Sequence, residues 1–421
     1  METTDTGKAT PASFDAGTLD VISAEHYEAN GYPHSEWTWL RENAPVCRID
    51  HANTEPFWAI TRHADIIEIG KQPAVFLNAP RVAVFTRDLP PPAEGRHLLN
   101  MDPPDHARYR RLTSGWFTPR AIRAMDEKVA RVTEEVLDDA AGVESGDFVT
   151  DISARITIAV IAEMLGVPSQ DWARLFRWTN EIIAPQDPEF QHGATPHETM
   201  ETARLELFSY FNAMAEERRK NPTDDITSVI ANAELDGSAL PVLELLSYYF
   251  LLVVAGNETT RNAMTGGMLA FIDHPEQWRK LQSDESLIDS AVEEICRWTS
   301  PVIQFARTAT RDYEIRGTTI REGESVCLFY ASGNRDEDVF DAPFEFRIDR
   351  DPNPHIGFGM GEHVCLGAHL ARLELKHAFA QLRTRLRSIE LDGVPERARS
   401  SFVGGIKHAP MRWSLAGRSE N

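Results

Sequence analysis

The sequence predicts a mainly α-helical fold with a smaller β region. Three observations carry that prediction. From Asp102 to Thr299, apolar residues recur at helical spacing in one segment after another. Strand-like runs are confined to a short stretch near residue 57, a longer one between 313 and 332 and a last one near 402–413. No long Gly/Ser linker, low-complexity block or repeat interrupts the 421 residues. One large domain over 21–421 is therefore expected, behind a polar, disordered leader over 1–20.

The elements follow in chain order. "FWAIT" (57–61) reads as a strand and "TRHADIIEIGKQ" as a helix. Residues 78–100 contain Pro80, Pro90, Pro91, Pro92 and Gly95 and read as a long loop, a kind that is usually functional or mobile. Helices are expected at roughly 105–123, 126–141, 150–165, 168–183, 197–219, 241–273, 275–283 and 286–299. Pro185, Pro188, Gly193 and Pro196 break the chain between two of them. "YEIRGTTI" and "SVCLFYAS", separated by Arg321, Glu322 and Gly323, suggest antiparallel pairing. The last helix starts at Leu366, with Leu370, Leu373 and His377 on the same face, and "FVGGIKHAPMRW" reads as a hairpin.

Composition excludes several classes. Against 43 Lys and Arg stand 65 Asp and Glu, a formal charge of −22, which is wrong for phosphate contacts and so for a nucleic-acid binder. The four cysteines (Cys47, Cys296, Cys327, Cys365) form no C-x-x-C pair, which argues against a zinc site or a disulfide framework. The opening residues lack the apolar stretch of a signal peptide. The longest apolar-rich run, Leu243 to Ala255, is interrupted by Glu244 and Ser247 and is shorter than the roughly 18–20 residues of a membrane span. A cytoplasmic monomer without a membrane anchor is expected. No G-x-G-x-x-G follows a predicted strand, so any electrons must come from another protein.

Four stretches carry chemistry. In "FGMGEHVCLG" (358–367), Cys365 lies just before a helix N-terminus, where amides and the helix dipole favour a thiolate. Gly359 and Gly361 let the backbone fold tightly around the sulfur. In "VVAGNETTRNAM" (253–264), an apolar helix abruptly carries Asn257, Glu258, Thr259 and Thr260, groups that are costly to bury unless bonded or used. Thr259 is placed to bond a carbonyl near Ala255 or Gly256, distorting the helix and opening a groove. In "EEICR", Glu294 and Arg297 stand i, i+3 on one helix face, and in "DPPDHARYRR" His106 and Arg110 stand i, i+4.

These stretches, in this order, resemble the signatures of the cytochrome P-450 family, and the resemblance runs from about residue 30 to 413. It implies a helix-rich triangular prism around a buried haem b (iron protoporphyrin IX). By that resemblance Phe358, Gly359, Gly361, His363, Cys365 and Gly367 form the haem loop, with Cys365 the iron ligand. His106, Arg110, Arg307 and His363 would contact the haem propionates. Thr259, with Ala255, Gly256 and Glu258, would form the oxygen-activation motif: Thr259 holding dioxygen and its proton-donating water, Glu258 feeding protons from solvent. Glu294 and Arg297 would be structural, with Arg350 or Arg347 as third partner.

The implied reaction is insertion of one atom of O2 into a C–H bond, with two electrons and two protons giving alcohol and water. The family's substrate walls would fall here on Val82, Val84, Phe85, Ile182, Ile183, Val253, Val254, Val302, Ile303, Phe305, Phe402 and Val403, a greasy pocket. "VAGNETTRNAMTGGMLAF", "PVIQFARTATRDYEIRG", "DPNPHIGFG" and "GGIKH" resemble the bacterial branch that hydroxylates sterol side chains at the terminal methyl. Terminal hydroxylation of a steroid side chain or isoprenoid is expected; a terpene-alcohol, alkane or fatty-acid hydroxylase is the alternative. A peroxide-driven hydroxylase would lack the Glu258–Thr259 pair, and a haem ligand carrier or sensor would need no proton relay. Electrons would come from a ferredoxin and ferredoxin reductase. Arg108, Arg111, Arg120 and Arg123, with Arg372 and Lys376, offer a basic island on an acidic chain where an acidic iron–sulfur ferredoxin would dock.

Overall fold

The computed structural model describes residues 19–84 and 96–417. Leu19 is already buried with Val21 and Ile22, so packing begins slightly before the boundary expected at residue 20; the rest of the leader lies outside the described residues.

Two short helices, α1 (Ala24–Asn30) and α2 (His34–Asn43), precede β1 (Val46–Ile49), β2 (Phe57–Ile60), α3 (His63–Gly70) and β3 (Phe76–Leu77). The stretch expected as one helix over 105–123 is broken. Helix α4 (Asp105–Ser114) ends in a 3-10 turn, and α5 (Pro119–Ala124) starts afresh. The cause is local: Thr118 caps the N–H of Ala121, and Pro119 takes the first helical position, where its missing donor costs nothing. Then come α6 (Asp126–Ala141), β4 (Ser145–Asp147), α7 (Ala154–Leu165), α8 (Trp172–Ile183), α9 (Pro196–Lys220) and α10 (Ile226–Ala231). A two-strand ribbon, β5 (Glu234–Leu235) and β6 (Ser238–Ala239), leads into α11 (Val242–Asp273), α12 (Pro275–Ser283) and α13 (Ile288–Thr299).

The β region departs from its expected pairing. "YEIRGTTI" folds on itself: β8 (Tyr313–Ile315) pairs with β9 (Thr318–Ile320) around Arg316 and Gly317, both at positive φ. Its neighbour β10 (Ser325–Phe329) instead lies between β7 (Gln304–Ala309), antiparallel, and β2, parallel, in a sheet ordered β1-β2-β10-β7-β3. After α14 (Tyr330–Gly333) and α15 (Ala368–Arg385) come β11 (Leu386–Leu391), β12 (Glu396–Arg397), β13 (Ile406–His408) and β14 (Pro410–Leu415). "FVGGIKHAPMRW" is not a hairpin: β13 pairs with β12, while β14 joins β11 and β4.

Helix α11, 32 residues without interruption, organises the core. Leu245 to Val254 belong to one helical cluster with α7, α8 and α9; Ala263 to Phe271 belong to a second with α6, α13 and α15. The polar segment 255–262 falls at the junction of the two. The helix runs unbroken through it, so the expected distortion is not a break in the helix. Among the described residues no helix is long and apolar enough to cross a membrane, and no His/Cys/Asp/Glu cluster could hold a metal ion.

Candidate active site

The loop before α15 is built around Cys365. Gly359 and Gly361 adopt φ of +67° and +69°, and a Cβ at Gly361 would stand 2.5 Å from the carbonyl oxygen of Gly70. The loop closes through the Cys365 N–H, which donates to Phe358 O at 2.8 Å. The Arg372 guanidinium covers the Phe358 ring at 4.3 Å. Cys365 stands before the helix, as expected, although α15 starts at Ala368 and not at Leu366, and the Gly367 N–H points at its sulfur. Its side chain opens onto an internal cavity while protein surrounds it; burial pushes the thiol up, against the pull of that N–H and of Arg110 and Arg372. Leu366 and Leu373 pack with Leu370 against the first helical cluster, whereas His377 reaches Asp126 at 3.1 Å.

A basic cluster stands beside this loop. The His106 and His363 rings lie 4.0 Å apart. Burial, then the charge of Arg110, holds His106 down at about 4; burial, then His106, Arg307 and Arg110, holds His363 at about 2. Both ring nitrogens of His106 and Nε2 of His363 are buried without a hydrogen-bond partner. Arg110 donates to Val364 O at 2.7 Å and Arg307 to Ala306 O at 2.7 Å. All four residues line the cavity.

On α11, the Thr259 hydroxyl donates to Ala255 O at 2.9 Å, as its position suggested. Ala255, Gly256, Glu258 and Thr259 line the cavity, Glu258 with little exposure, while Asn257 is buried away from it. Asn257 is a cross-tie: it accepts from Thr157 (2.9 Å) and donates to Thr179 (2.8 Å). Glu258 is ion-paired through Oε1 with Arg261 and accepts from Asn262 Nδ2 at 3.1 Å; its Oε2 is buried and unpartnered. Arg261 in turn donates to Asn180 Oδ1 at 2.9 Å.

One cavity of about 360 Å³ joins these groups. Its apolar wall includes Val82, Ile182, Ile183, Val254, Val302, Phe305, Phe402 and Val403, all anticipated from sequence. An isolated bridge between Val302 and Val403, and an edge-on contact of the Phe305 and Phe402 rings at 5.6 Å, tie two of these segments together. Three expected wall residues belong elsewhere: Val84 and Ile303 pack into the core of the β region, and Val253 into the first helical cluster. For Val253 and Ile303 the reason is register, since each directly neighbours a lining residue (Val254 and Val302) whose side chain points another way. Phe85 lies outside the described residues.

A family model described as Cytochrome P450 matches residues 21–399. The chain belongs to the cytochrome P450 family. A steroid C26-monooxygenase of Mycolicibacterium smegmatis is 38% identical over 399 residues, 92% of each chain. Cytochrome P450-terp of a Pseudomonas species is 36% identical over 414 residues, 94% of this chain and 97% of that one. A Mycobacterium marinum cytochrome P450 solved in complex with pseudoionone superposes with a TM-score of 0.88 at 35% identity, covering 95% of this chain and all of the other.

This P450 is accordingly a monooxygenase whose cofactor is haem b. The residues present fit that group. Three orphaned imidazole nitrogens and two guanidiniums at one side of the cavity suit a pair of carboxylates. A Cβ at Gly367, on the same wall, would meet no neighbour within 4 Å, leaving open space beside Cys365 for a flat ring.

The Glu294–Arg297 pair is fully buried, not a surface pair, and it lies outside the cavity lining. Glu294 holds Arg297 in two bonds of 2.7 Å. Its third charged partner is Arg350, at 3.2 Å; Arg347 contributes only its backbone N–H, at 2.9 Å. Sequence reasoning missed several wall residues of this P450, among them Phe250, Pro185, Gln186, Arg399 and Glu374. Glu374 carried a usable signal: it stands i, i+4 from Leu370 on the buried face of α15. Its Oε2 has no partner, and burial raises its carboxyl well above the usual range.

Proposed function

We propose that the chain hydroxylates a hydrophobic substrate at or near a terminal carbon, with a steroid side chain or isoprenoid as the substrate class. The observation that carries this reading is the continuous apolar-walled cavity running from Cys365 past Thr259 to Phe402. Its Cys365 end is where the haem would lie, which leaves the apolar wall from Val82 to Phe402 for the substrate. The relatives named for steroid C26 and P450-terp activity support it; the latter, with the pseudoionone complex, keeps a terpene-sized substrate as the second reading.

In this reading Cys365 holds the haem iron, and His106, Arg110, Arg307 and His363 hold the propionates. When bound, the haem supplies activation of dioxygen at a thiolate-ligated iron. The chain's own residues supply the protons. Thr259, whose proton is directed at Ala255 O, keeps lone pairs for a proton-donating water in the cavity. Glu258 presents Oε2 as the group that passes a proton on, with Oε1 held by Arg261 and Asn262. Apolar walls exclude other water and orient the substrate.

The test is turnover on a panel of sterols, terpene alcohols and fatty acids, with product counted per electron consumed. Sterols should bind most tightly, because apolar burial is worth roughly 25 cal/mol per Å². Tighter binding of a terpene alcohol than of any steroid would install the second reading. Thr259→Ala should bind haem and substrate normally but divert most electrons to peroxide, and Glu258→Gln should slow turnover. Full product yield per electron in Thr259→Ala would remove the relay.

For the electron donor we propose an acidic ferredoxin, served by its reductase, at a relocated patch. Arg108 is engaged by Asp105 and Asp236, Arg372 by Glu293 and Lys376 by Asp289. Arg111, Arg120 and Arg123 are exposed and have no ion pair among the described residues. Arg123 also borders a surface groove that reaches α15, the helix after Cys365. Reversing Arg120 and Arg123 to Glu should slow association about tenfold at low salt and flatten its salt dependence. The haem spectrum and substrate affinity should not change. Wild-type electron-transfer rates across a salt series would eliminate the patch.

A further inference from the structure

Part of the cavity wall is made by two segments distant in sequence: Pro185 and Gln186, on the α8–α9 connection, and residues 399–403, between β12 and β13. Asp187 joins them. Its side chain is fully buried and accepts four hydrogen bonds. Lys407 Nζ, on β13, donates to Oδ1 at 2.9 Å and Oδ2 at 3.2 Å. The N–H of Arg399 donates to Oδ2 at 3.0 Å, and that of Glu189 to Oδ1 at 3.0 Å. The Asp187 carbonyl also accepts from the N–H groups of Phe190 and Gln191. Lighter ties run alongside. Ser400 donates to Ile183 O at 3.2 Å, and the His408 ring bridges Asp147 at 2.6 Å and Glu189 at 3.0 Å.

A buried ion pair is an expensive way to join two loops, since desolvation offsets most of its Coulombic attraction and an apolar contact would hold them as well. What charge and directed hydrogen bonds add is a fixed spacing. We propose that Asp187 is a positioning residue for the monooxygenation: with Lys407 it sets the distance between Pro185–Gln186 and the 399–403 segment, and that distance fixes how far an extended apolar substrate reaches toward Thr259. The clamp thereby selects which carbon is oxidised. This rests on the reading of the cavity as the substrate site.

The experiment uses the haem-loaded full chain in three forms: Asp187→Asn, the double variant Asp187→Asn with Lys407→Met, and Lys407→Arg. The double variant leaves no buried charge unpaired, so it folds even where the single change does not. Two readouts are taken. One is product distribution along the substrate's carbon chain. The other is the dissociation rate of a phenylimidazole, which binds haem iron directly and reports the cavity wall whichever natural substrate is correct. The double variant should give a broadened product distribution and release phenylimidazole about tenfold faster, with an unchanged carbon monoxide spectrum. Lys407→Arg, which keeps the pair, should match wild type in both. A well-folded double variant with the wild-type product ratio and release rate would overturn the clamp. Faster phenylimidazole release without turnover of any steroid or isoprenoid would support the clamp while removing the proposed substrate class.

Discussion

Haem-loaded Cys365→His protein, reduced under carbon monoxide, shows no red-shifted Soret band and makes no product. Two of the four cysteines, Cys47 and Cys327, are buried away from the cavity. Cys296 also lines it, but its thiol is buried, and desolvation, followed by the neighbouring Glu293, pushes it far up. Only Cys365 combines access to the cavity with a backbone N–H on its sulfur, the contact that stabilises and tunes a ligating thiolate. The paired control is Cys296→Ala, which should keep both the band and the turnover. A band that survives in Cys365→His would refute the assignment.

The second large effect concerns stability. Arg297 has five N–H donors and uses all of them: two on Glu294, two on the carbonyls of Asn334 and Pro343 at 2.9 Å, and one on Glu345 O at 3.1 Å. Arg297→Ala leaves those three carbonyls without this donor and strips Glu294 of its closest cation. The expected loss is about 3–5 kcal/mol, the range for breaking a buried pair by removing one partner. Arg297→Lys should recover little of it, because three donors on a flexible stem cannot replace a planar fork. Denaturant unfolding of the haem protein measures this. A loss under about 1 kcal/mol, the value of an exposed pair, would show that the cluster is not what holds α13 to the 334–350 segment.

How much of this was legible before the fold was known depends on how local the determinant is. Apart from the short α10, which was not expected, the helices from α6 to α13 follow from apolar spacing within each segment. So do the positive φ values of Gly359 and Gly361 and the Thr259 back-bond to Ala255, which stays within one helical turn. Strand pairing was not legible in the same way. "SVCLF" pairs with Phe57 to Ile60, across more than 260 residues, and nothing in its own alternation names that partner. The choice between Arg347 and Arg350 stayed open for a related reason: both reach Glu294, one by its backbone and one by its side chain, and spacing cannot distinguish them. Parts of the cavity wall were read to within one residue. Val254 lines it and Val253 does not, Val302 does and Ile303 does not, because a one-residue step turns a side chain to the other face. Arg108 looked freer than it is because Asp236, the second of its two partners beside Asp105, sits 128 residues away on a ribbon whose place could not be inferred.

The placement of α11 has a consequence for evolvability. Its strip from Ala255 to Thr259, to which the proposed proton relay belongs, sits where two packed clusters meet, on a helix whose loosening would disturb both. Its amides should therefore be among the last to exchange with solvent, opening only when the whole molecule does. Much of the wall facing the substrate comes instead from connecting segments, at 185–186 and 399–403, which tolerate replacement far better than a core helix. Chemistry and selectivity thus reside in parts of the chain with different tolerance for change. A lineage can exchange its walls and acquire new substrates while the strip proposed to handle protons stays in place.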